Sequence, residues 1–567
     1  MGSSSGDGDA QAESESAVQR RKRFEATSAI VLNSLGLLSP LLLLLRCPCQ
    51  HIMTSKAQFY HKASDSQKEI MRPLLHNGLL LSEDAYWKQQ RTLVSPGFHF
   101  WYLEEMVPII VACMDGWCKK VEESLPVGQP DASVSLEMSH ELATITLDSV
   151  ATAAFGQGFR SDPARADRFI HSLKQVLDNM QARTLNLLGF IPLLKSMPFP
   201  SLRAIQQGCA NIDAIVAEIV RDRKAGKSSV VAGGAHTGSE LLKAQNAGEQ
   251  VRRRDLLDLL LDAQANMPAG QVLTDRGVEE ESINFIAAGA ETTSNLCIWM
   301  LHRIVTEPGV FAKCRGEVDR VCGAEFSSIE MLKELKYLEG VAYEALRLHP
   351  PAPTIPKYCI EAHDMVLSGG RTIHVPKGTT MLLNANVIHR LPEYWPDPLT
   401  FRPERFLAGA DMEQDKAAAP SPSASPDLGE SSGASSGSIS SSSSSKSLTP
   451  EEKARKSAQP FAYLGFSAGP RKCIGKNLAM IEIKIIFTLL LQRFEFSLQP
   501  GQYIAANPIT RLPRNGIKFT VKRRSAPIQT EEEEDASSSA TAASASASAE
   551  GVRNRVPVSV LKPLGMI

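Results

Sequence analysis

The sequence has no C-x-x-C pair and no charge excess of either sign. Its ten cysteines are scattered from Cys47 to Cys473, and no two are three positions apart, which argues against a zinc ribbon or a thioredoxin-like motif. The formal net charge is −1, so the overall charge predicts no binding to nucleic acid. Long apolar runs are scarce too: the most apolar stretch, 29–45, has 17 residues and contains Asn33 and Pro40.

The composition is that of an ordinary globular protein. The chain has 567 residues, of which 43% are hydrophobic and 22% charged. This length suffices for one large domain or for two to three ordinary ones. Cysteines spread through a chain with ample core-forming residues indicate a reducing compartment. Most of them are therefore expected to be small buried hydrophobic residues.

Residues 1–53 are predicted to lie outside the main domain. Residues 1–19 are rich in Ser, Gly and acidic residues and are expected to be disordered. A basic cluster at 20–23 precedes the apolar stretch 29–45. That stretch reaches only the lower limit for a membrane-spanning helix, so a membrane anchor, a signal-like segment and a buried segment are three open interpretations of it.

Residues 54–523 are predicted to form one domain that two low-complexity insertions interrupt, 225–248 and 408–459. Both insertions are rich in small residues and bury too little apolar surface to offset the entropy of ordering. We therefore expect both to be mobile loops. The Ser/Ala-rich tail, 524–567, is expected to be disordered for the same reason.

The periodicity within the domain predicts mainly helices. Long helical runs extend from Val278 to Val305 and from Met480 to Gln492. Shorter segments, Thr372 to Val375 and Ile517 to Val521, have the alternation of strands.

The strongest chemical signal is the segment F-S-A-G-P-R-K-C-I-G, residues 466–475, around Cys473. Glycines allow a backbone to approach a flat cofactor closely. A cysteine at the start of a helix has its thiolate favoured by the helix dipole and the free N–H groups. Such a thiolate can be an axial ligand of iron that promotes O–O cleavage. A buried, inert cysteine is the alternative interpretation.

This segment resembles the haem-binding signature of the cytochrome P450 superfamily, F-x-x-G-x-R-x-C-x-G, and all six fixed positions match. At ordinary residue usage, a chance match is on the order of 10⁻⁸ per window. The resemblance implies a mostly α fold with a small β region, the cytochrome P450 fold. It also implies haem b (iron-protoporphyrin IX), with Cys473 as the metal ligand and Phe466, Gly469 and Arg471 in the cofactor-binding loop.

Further haem contacts follow from the same resemblance. Trp87 and Arg91 form W-x-x-x-R, whose spacing places both side chains on one helical face. In the family this pair meets the haem propionates. The resemblance also assigns Lys357 to cofactor binding.

The long helical run contains A-G-A-E-T-T, residues 288–293, which resembles the family's oxygen-activation motif. Glycine in mid-helix costs about 1 kcal/mol relative to alanine, which makes sense if the helix must open beside bound oxygen. Ala288 and Gly289 are thus expected beside the cofactor. Thr292 and Glu291 are the expected catalytic residues, one as a hydrogen-bond donor to oxygen and the other as a proton relay.

A third motif, E-x-x-R, is formed by Glu344 and Arg347, whose spacing allows a pair on one helical face. With Arg405 it resembles the buried structural triad of the superfamily. A buried charge cluster must be fully paired, so we assign these residues to folding and haem retention.

The implied function is a haem-thiolate monooxygenase. It would insert one oxygen atom from O₂ into a small apolar substrate of the fatty acid, sterol or terpenoid class. Electrons would come from NADPH through NADPH-cytochrome P450 reductase, or from a ferredoxin, docked near Lys472, Lys476 and Lys484. The expected location is the cytosolic face of the endoplasmic reticulum membrane, or another organelle membrane.

Two alternatives remain open on the sequence. One is an isomerase or dehydratase of the same fold that needs no reductase, although such relatives typically lose the acid–threonine pair that is present here. The other is a non-catalytic haem-binding protein. Its support is a departure before Leu79, where residues 46–60 do not supply the two sheet strands expected of the family; the resemblance itself covers Leu79 to Val521, apart from the insertions.

Overall fold

The protein is described here from a computed structural model. The structure describes residues 41–44, 47–126, 129, 131–155, 162–185, 200–225, 255–266, 273–323, 328–366, 372–407, 461–502, 513 and 515–525. Nearly all of the two predicted insertions, the tail after residue 525 and positions 1–40 lie outside these ranges.

Helices dominate the described part of the chain, as the periodicity predicts. In chain order they are α1 (Cys47–Gln50), α2 (Asp65–Leu75), α3 (Asp84–Val94), α4 (Phe100–Ser124), α5 (Met138–Phe155), α6 (Pro163–Leu185), α7 (Pro200–Lys224), α8 (Leu256–Ala265), α9 (Asp275–Thr306), α10 (Val310–Cys322), α11 (Ile329–Glu334), α12 (Lys336–Leu348), α13 (Ala385–Ile388) and α14 (Lys476–Arg493). In the described ranges, no helix is both long enough and apolar enough to cross a membrane.

Helix α9 is the predicted long helix, and local chemistry sets both its ends. The hydroxyl of Thr274 caps its start by accepting a hydrogen bond from the amide of Gly277 at 3.0 Å. It ends at Thr306, because Glu307 precedes a proline and adopts an extended backbone. Most of its 32 residues are buried, since α9 runs through the centre of the helical domain against α5, α12 and α7.

The strands form three small sheets. Their bounds are β1 (Leu41–Leu44), β2 (Tyr60–His61), β3 (Ser133–Glu137), β4 (Thr354–Cys359), β5 (His363–Val366), β6 (Thr372–Val375), β7 (Thr380–Asn384), β8 (Phe494–Leu498) and β9 (Lys518–Arg523). The sheet orders are β1-β7-β4-β2, β3-β9-β8 and β5-β6. All pairings are antiparallel except β1 with β7, where Leu41 is opposite Thr380. Both predicted strands, 372–375 and 517–521, are confirmed, the second shifted by one or two residues.

Residues 46–60 are predicted not to supply the two sheet strands expected of the family, and the structure places one strand at each edge of this range, with only Tyr60 of β2 inside it. Strand β2 pairs with β4 through Tyr60 and Cys359, and β1 adds a further strand on the other side of β7. A two-residue strand is too short for a readable alternation, and β1 lies within a run of leucines that has no period.

A buried triad of charges holds the helical domain to the loop that contains Cys473. The side chains of Glu344 and Arg347, both in α12, are 0% exposed, and their paired atoms lie 2.7 and 2.8 Å apart. The guanidinium of Arg405 donates to Glu344 at 3.3 Å. The predicted triad geometry is therefore confirmed.

The remaining hydrogen-bond capacity of the triad is filled by main chain. Arg347 donates to the carbonyl oxygens of His389 at 2.7 Å and Pro398 at 2.8 Å. The imidazole of His389 donates from Nδ1 to the carbonyl of Arg347 at 3.0 Å and accepts from the amide of Leu464 at 2.7 Å. Burial lowers the pKa of His389 to about 3, so the ring is neutral and fits both bonds. This chain of contacts reaches the start of the Cys473 loop.

Replacing Glu344 with Ala should lower the free energy of unfolding by about 3–5 kcal/mol, because Arg347 and Arg405 would remain buried without their anion. Urea unfolding and haem content of the purified protein measure the effect. The control is Glu330→Ala, which removes an i, i+3 pair with Lys333 whose carboxylate is 69% exposed. That change should cost under about 1 kcal/mol. Equal losses in the two variants would contradict the structural role of the triad.

Candidate active site

Cys473 lies in a loop between a 3-10 turn, Gly469–Arg471, and helix α14. Main-chain hydrogen bonds close the loop: the amide of Cys473 donates to the carbonyl of Phe466 at 2.9 Å, and that of Lys472 donates to Gly469 at 3.0 Å. The structure gives the exposure of nine cysteine side chains, and among these only Cys473 is exposed. Of these nine thiols, it is therefore the one that a metal centre can reach.

The electrostatics of this thiol depart from the expectation of a helix-stabilised thiolate. Burial is the largest influence and raises the pKa of Cys473. The amides of Gly475 and Lys476 at the start of α14 lower it, as do the charges of Arg91 and Lys62, but they are outweighed. A thiol that is accessible and yet desolvated lies on the wall of a recess. Coordination to a metal ion deprotonates such a thiol outright, which the helix start alone does not achieve.

Gly469 has a packing role that the motif did not reveal. Its φ is +70°, and a Cβ at this position would lie 1.8 Å from the main-chain oxygen of Met53. Only glycine tolerates both the conformation and this approach. The segment around Met53 therefore closes directly onto the Cys473 loop.

Helix α3 and the Cys473 loop meet through the residues that the two motifs predict. Arg91 donates from Nη1 to the carbonyl oxygen of Lys472 at 3.1 Å. The guanidinium of Arg471 lies over the ring of Trp87, 4.1 Å from its centroid. The structure thus brings Trp87, Arg91 and Arg471 together, although Arg91 and Arg471 are 380 positions apart in the sequence. Phe466 packs against Tyr343, with ring centroids 6.4 Å apart.

Two more cations and one carboxylate join this group. Lys357 is buried on β4, and burial lowers its pKa to about 8, with Arg471 contributing. Sequence reasoning missed Lys62 and Glu83. Burial also lowers the pKa of Lys62 to about 8, with Arg471 and Lys357 contributing and Glu83 opposing. No motif marks either position, because Lys62 follows a two-residue strand and Glu83 stands in an ordinary polar run.

Helix α9 is accessible at one point in its buried middle. Thr292 is exposed and Ala288 and Gly289 are half-buried, whereas the residues on either side, 283–287 and 293–301, are buried. The hydroxyl of Thr292 donates to the carbonyl oxygen of Ala288 at 2.7 Å. This face of the helix therefore borders open space.

Close packing of helix α5 against α9 explains why residue 289 is a glycine. A Cβ at this position would approach the two methyl groups of Val150 on α5 at 3.1 and 3.2 Å. The helix runs without a break from Asp275 to Thr306. The expected opening of the helix is not present in this structure, and the close approach of α5 accounts for the glycine.

Glu291 points away from Thr292. Glu291 lines a partly open pocket of about 100 Å³ between α5, α6 and α9, together with His140, Phe169, Lys174 and Ser294, among others. Burial raises the pKa of Glu291 to about 7, and the charge of Asp178 adds to the effect while Lys174 opposes it. The two predicted catalytic residues are neighbours in sequence and lie on different sides of the helix.

The surface proposed for an electron-transfer partner needs one correction. Lys472 is exposed and Lys476 half-exposed, as expected. Lys484 is buried, and its ammonium donates to the carbonyl oxygen of Leu332 at 2.8 Å and to Glu339. Its position on the inner face of α14 removes it from any docking surface.

Comparison with known proteins identifies the family. The cytochrome P450 family profile matches residues 49–423 and 447–521, most of the chain. The chain therefore belongs to the cytochrome P450 family, and it is an oxidoreductase that acts on paired donors with incorporation of molecular oxygen. The match begins at residue 49, earlier than the expected Leu79, and its gap lies within the predicted insertion 408–459.

The individual relatives have low sequence identity to this chain, but their alignments cover most of its length. Cytochrome P450 97B2, chloroplastic, of Glycine max is 28% identical over 493 residues, which cover 84% of this chain and 77% of the relative. Cytochrome P450 3A6 of Oryctolagus cuniculus is 27% identical, with coverage of 74% and 70%. The ultra-long-chain fatty acid omega-hydroxylase of Homo sapiens is 27% identical, with coverage of 77% and 71%.

The family implies haem b, and the residues fit it. Lys62, Arg91, Lys357 and Arg471 gather near an accessible thiol with Glu83 as the principal counter-charge, which leaves a positive excess. Haem b carries two propionate groups that would neutralise such an excess. An accessible soft sulfur is also the type of ligand that haem-thiolate iron requires.

Replacing Cys473 with His should move the absorption band of the reduced, carbon monoxide-bound protein from the thiolate-specific position to an imidazole-type position. The control is Cys209→Ala, in helix α7, which removes a buried cysteine and should leave the band unchanged. An unaltered band in Cys473→His would show that another residue holds the iron.

Proposed function

We propose that this protein is a haem-thiolate monooxygenase that inserts one oxygen atom from O₂ into a C–H or C=C bond of an apolar substrate. The observation that supports it most is that Cys473 in its loop and Thr292 in the middle of a buried helix are each accessible, at the two motifs that the family shares. Haem, when bound, would supply reductive activation of O₂. The protein's own residues would bind the cofactor, position the substrate and deliver protons.

The proposed roles follow the placement of the side chains. Cys473 would hold the haem iron through its thiolate, and Trp87, Arg91, Lys357 and Arg471 would hold the propionates. Thr292 would serve as a hydrogen-bond donor in oxygen activation, since a side-chain rotation breaks the bond from its hydroxyl to the carbonyl of Ala288 and frees the hydroxyl hydrogen. Glu291 supplies protons from the other side of the helix, where its cavity meets charged and polar residues.

The proposed substrate class is a fatty acid, a sterol or a terpenoid. Phe285 lies one turn before Ala288 on α9 and packs against Phe98, with ring centroids 5.7 Å apart. Ile355 on β4 is half-buried and apolar. An apolar lining favours a ligand with few polar groups. The name of the human omega-hydroxylase, which specifies a fatty acid, supports the same class.

Electrons are proposed to come from NADPH through NADPH-cytochrome P450 reductase, or from a ferredoxin. The exposed Lys472 and half-exposed Lys476 stand beside the Cys473 loop and suit an acidic partner.

The proposed location is the endoplasmic reticulum membrane, facing the cytosol. A chloroplast location is the alternative that the name of the soybean relative supports.

The test combines a ligand screen with turnover. Fatty acids, sterols and carotenoids are screened for changes in the haem spectrum, and the best binder is incubated with NADPH and either redox partner. Product formed per NADPH should fall several-fold in Thr292→Ala while haem content stays normal, because electrons are diverted to hydrogen peroxide once the hydroxyl donor is lost. Thr292→Ser, which keeps the hydroxyl, is the matched control.

Two results would contradict this proposal. Product formation without NADPH or a redox partner would favour the isomerase or dehydratase alternative. An unchanged ratio of product to NADPH in Thr292→Ala would remove the proposed role of the hydroxyl.

The proton-delivery role of Glu291 predicts a pH dependence. Its raised pKa of about 7 means that the carboxyl group carries its proton below pH 7 and loses it as the pH rises through that value. Product per NADPH should therefore decline between pH 6 and 8, and Glu291→Gln should abolish this dependence. Asp178→Asn removes a charge that raises the pKa, so it should move the midpoint to lower pH. A midpoint that stays in place in both variants would assign the dependence to another group.

A further inference from the structure

Glu83 connects three separate segments of the chain through one carboxylate. Its Oε1 accepts a hydrogen bond from the amide of Lys62 at 2.7 Å and lies 3.6 Å from the ammonium of Lys68 on α2. Its Oε2 is paired with the guanidinium of Arg471 in the Cys473 loop. The side chain is only 11% exposed, so these contacts are partly desolvated and stronger than surface pairs.

The position of Glu83 in the chain makes this arrangement unusual. It is the N-cap residue of α3, with an extended backbone, yet its side chain makes no capping hydrogen bond. A carboxylate at an N-cap normally accepts from the first turn of its own helix. Here it turns outward to the residues that surround the Cys473 loop, which indicates a role beyond helix stability.

The cations around Glu83 repel one another. Arg471 and Lys357 each lower the pKa of Lys62, and Arg471 lowers that of Lys357, whereas Glu83 opposes both shifts. Without an anion, three cations in a partly buried space would move apart. Arg471 also donates a hydrogen bond to the carbonyl oxygen of Ser82, at 2.7 Å. The ammonium of Lys357 makes no ion pair or hydrogen bond within the described residues.

We propose that Glu83 is a positioning residue for the cofactor: it holds Arg471 and Lys62 in place to bind the haem propionates and adds a fixed negative charge beside the haem. This inference rests on the proposed haem site. Both oxygens of Glu83 already bind donors of the protein, and its negative charge repels propionates, so Glu83 would act through its neighbours.

The charge has a consequence that a purely structural role lacks. A negative charge stabilises ferric over ferrous haem, since the ferric form carries one more positive charge. Removing it while leaving the cations in place should make the midpoint potential of the haem more positive. It should also speed haem loss, because Arg471 and Lys62 lose their shared anchor.

Three variants of the full-length holoprotein test the proposal. Glu83→Gln keeps the shape and removes the charge, Glu83→Asp keeps the charge, and Asp84→Asn removes a neighbouring carboxylate whose side chain is 73% exposed. The midpoint potential is measured by a dye-coupled reductive titration, and haem loss by transfer to excess apomyoglobin. Glu83→Gln should show a more positive potential and haem transfer at least several-fold faster. Asp84→Asn should show a smaller potential shift, because solvent screens its charge.

Glu83→Asp should return the potential toward the wild-type value. A Glu83→Gln protein with wild-type potential and haem transfer would overturn the proposal, even if its carbon monoxide spectrum still reported a thiolate ligand. That spectrum, recorded for the wild type, tests the haem-thiolate site separately.

If Glu83→Gln is obtained only without haem, thermal unfolding of the haem-free proteins decides the outcome. Wild-type and variant proteins that melt together would support a role toward the cofactor. A lower melting temperature of the haem-free variant would mean that Glu83 is needed for the fold alone, and the proposal would be wrong.

Discussion

The buried ion pair of Glu344 and Arg347 is the constraint on which the arrangement of the site depends. Two charges removed from water are tolerated only if every hydrogen-bonding group is satisfied. To satisfy them, the chain after β7 must wrap back over α12, so that main-chain carbonyls and Arg405 reach the pair. The ring of His389 bonds to the carbonyl of Arg347 and to the amide of Leu464, and it therefore fixes the start of the Cys473 loop. The Cys473 loop is thus held by a charge cluster to which no chemical role is assigned.

Helix α9 divides the site into two environments. One face, at Ala288 and Thr292, borders the open space where the cofactor and substrate are proposed to lie. Another face turns Glu291 toward a separate cavity with His140 and Lys174. A continuous helix keeps the two groups about 100° apart, so in the proposed mechanism protons and substrate would approach by different routes. The tight contact of Gly289 with α5 holds the helix in this orientation.

Much of the fold was readable from the sequence, and the reasons are local. The helical periodicity of 278–305 was long and strong, and the helix in the structure differs from the prediction only at its ends. Thr274 caps its start, and the proline after Glu307 stops it. The fixed residues around Cys473 identified the family without any contact map. Short strands were the weak point: β2 has two residues, and pairing with β4 creates it. The prediction that Lys484 belongs to a docking surface failed for a similar reason. Lys484 shares helix α14 with Lys476, and only the packing shows that its side chain faces inward.

The sequence by itself was enough to propose which residues carry chemistry, namely the thiol of Cys473 and the threonine and acid in the long helix, and to identify the E-x-x-R pair as structural. These depend on residue type and on spacing along one element, which the chain order preserves. The tertiary structure alone decided what gathers around them. Lys62, Glu83 and Arg471 are distant in sequence, and their mutual charges have meaning only at the distances that folding creates. Electrostatic energy falls with separation and with solvent access, and neither quantity exists before the chain is packed.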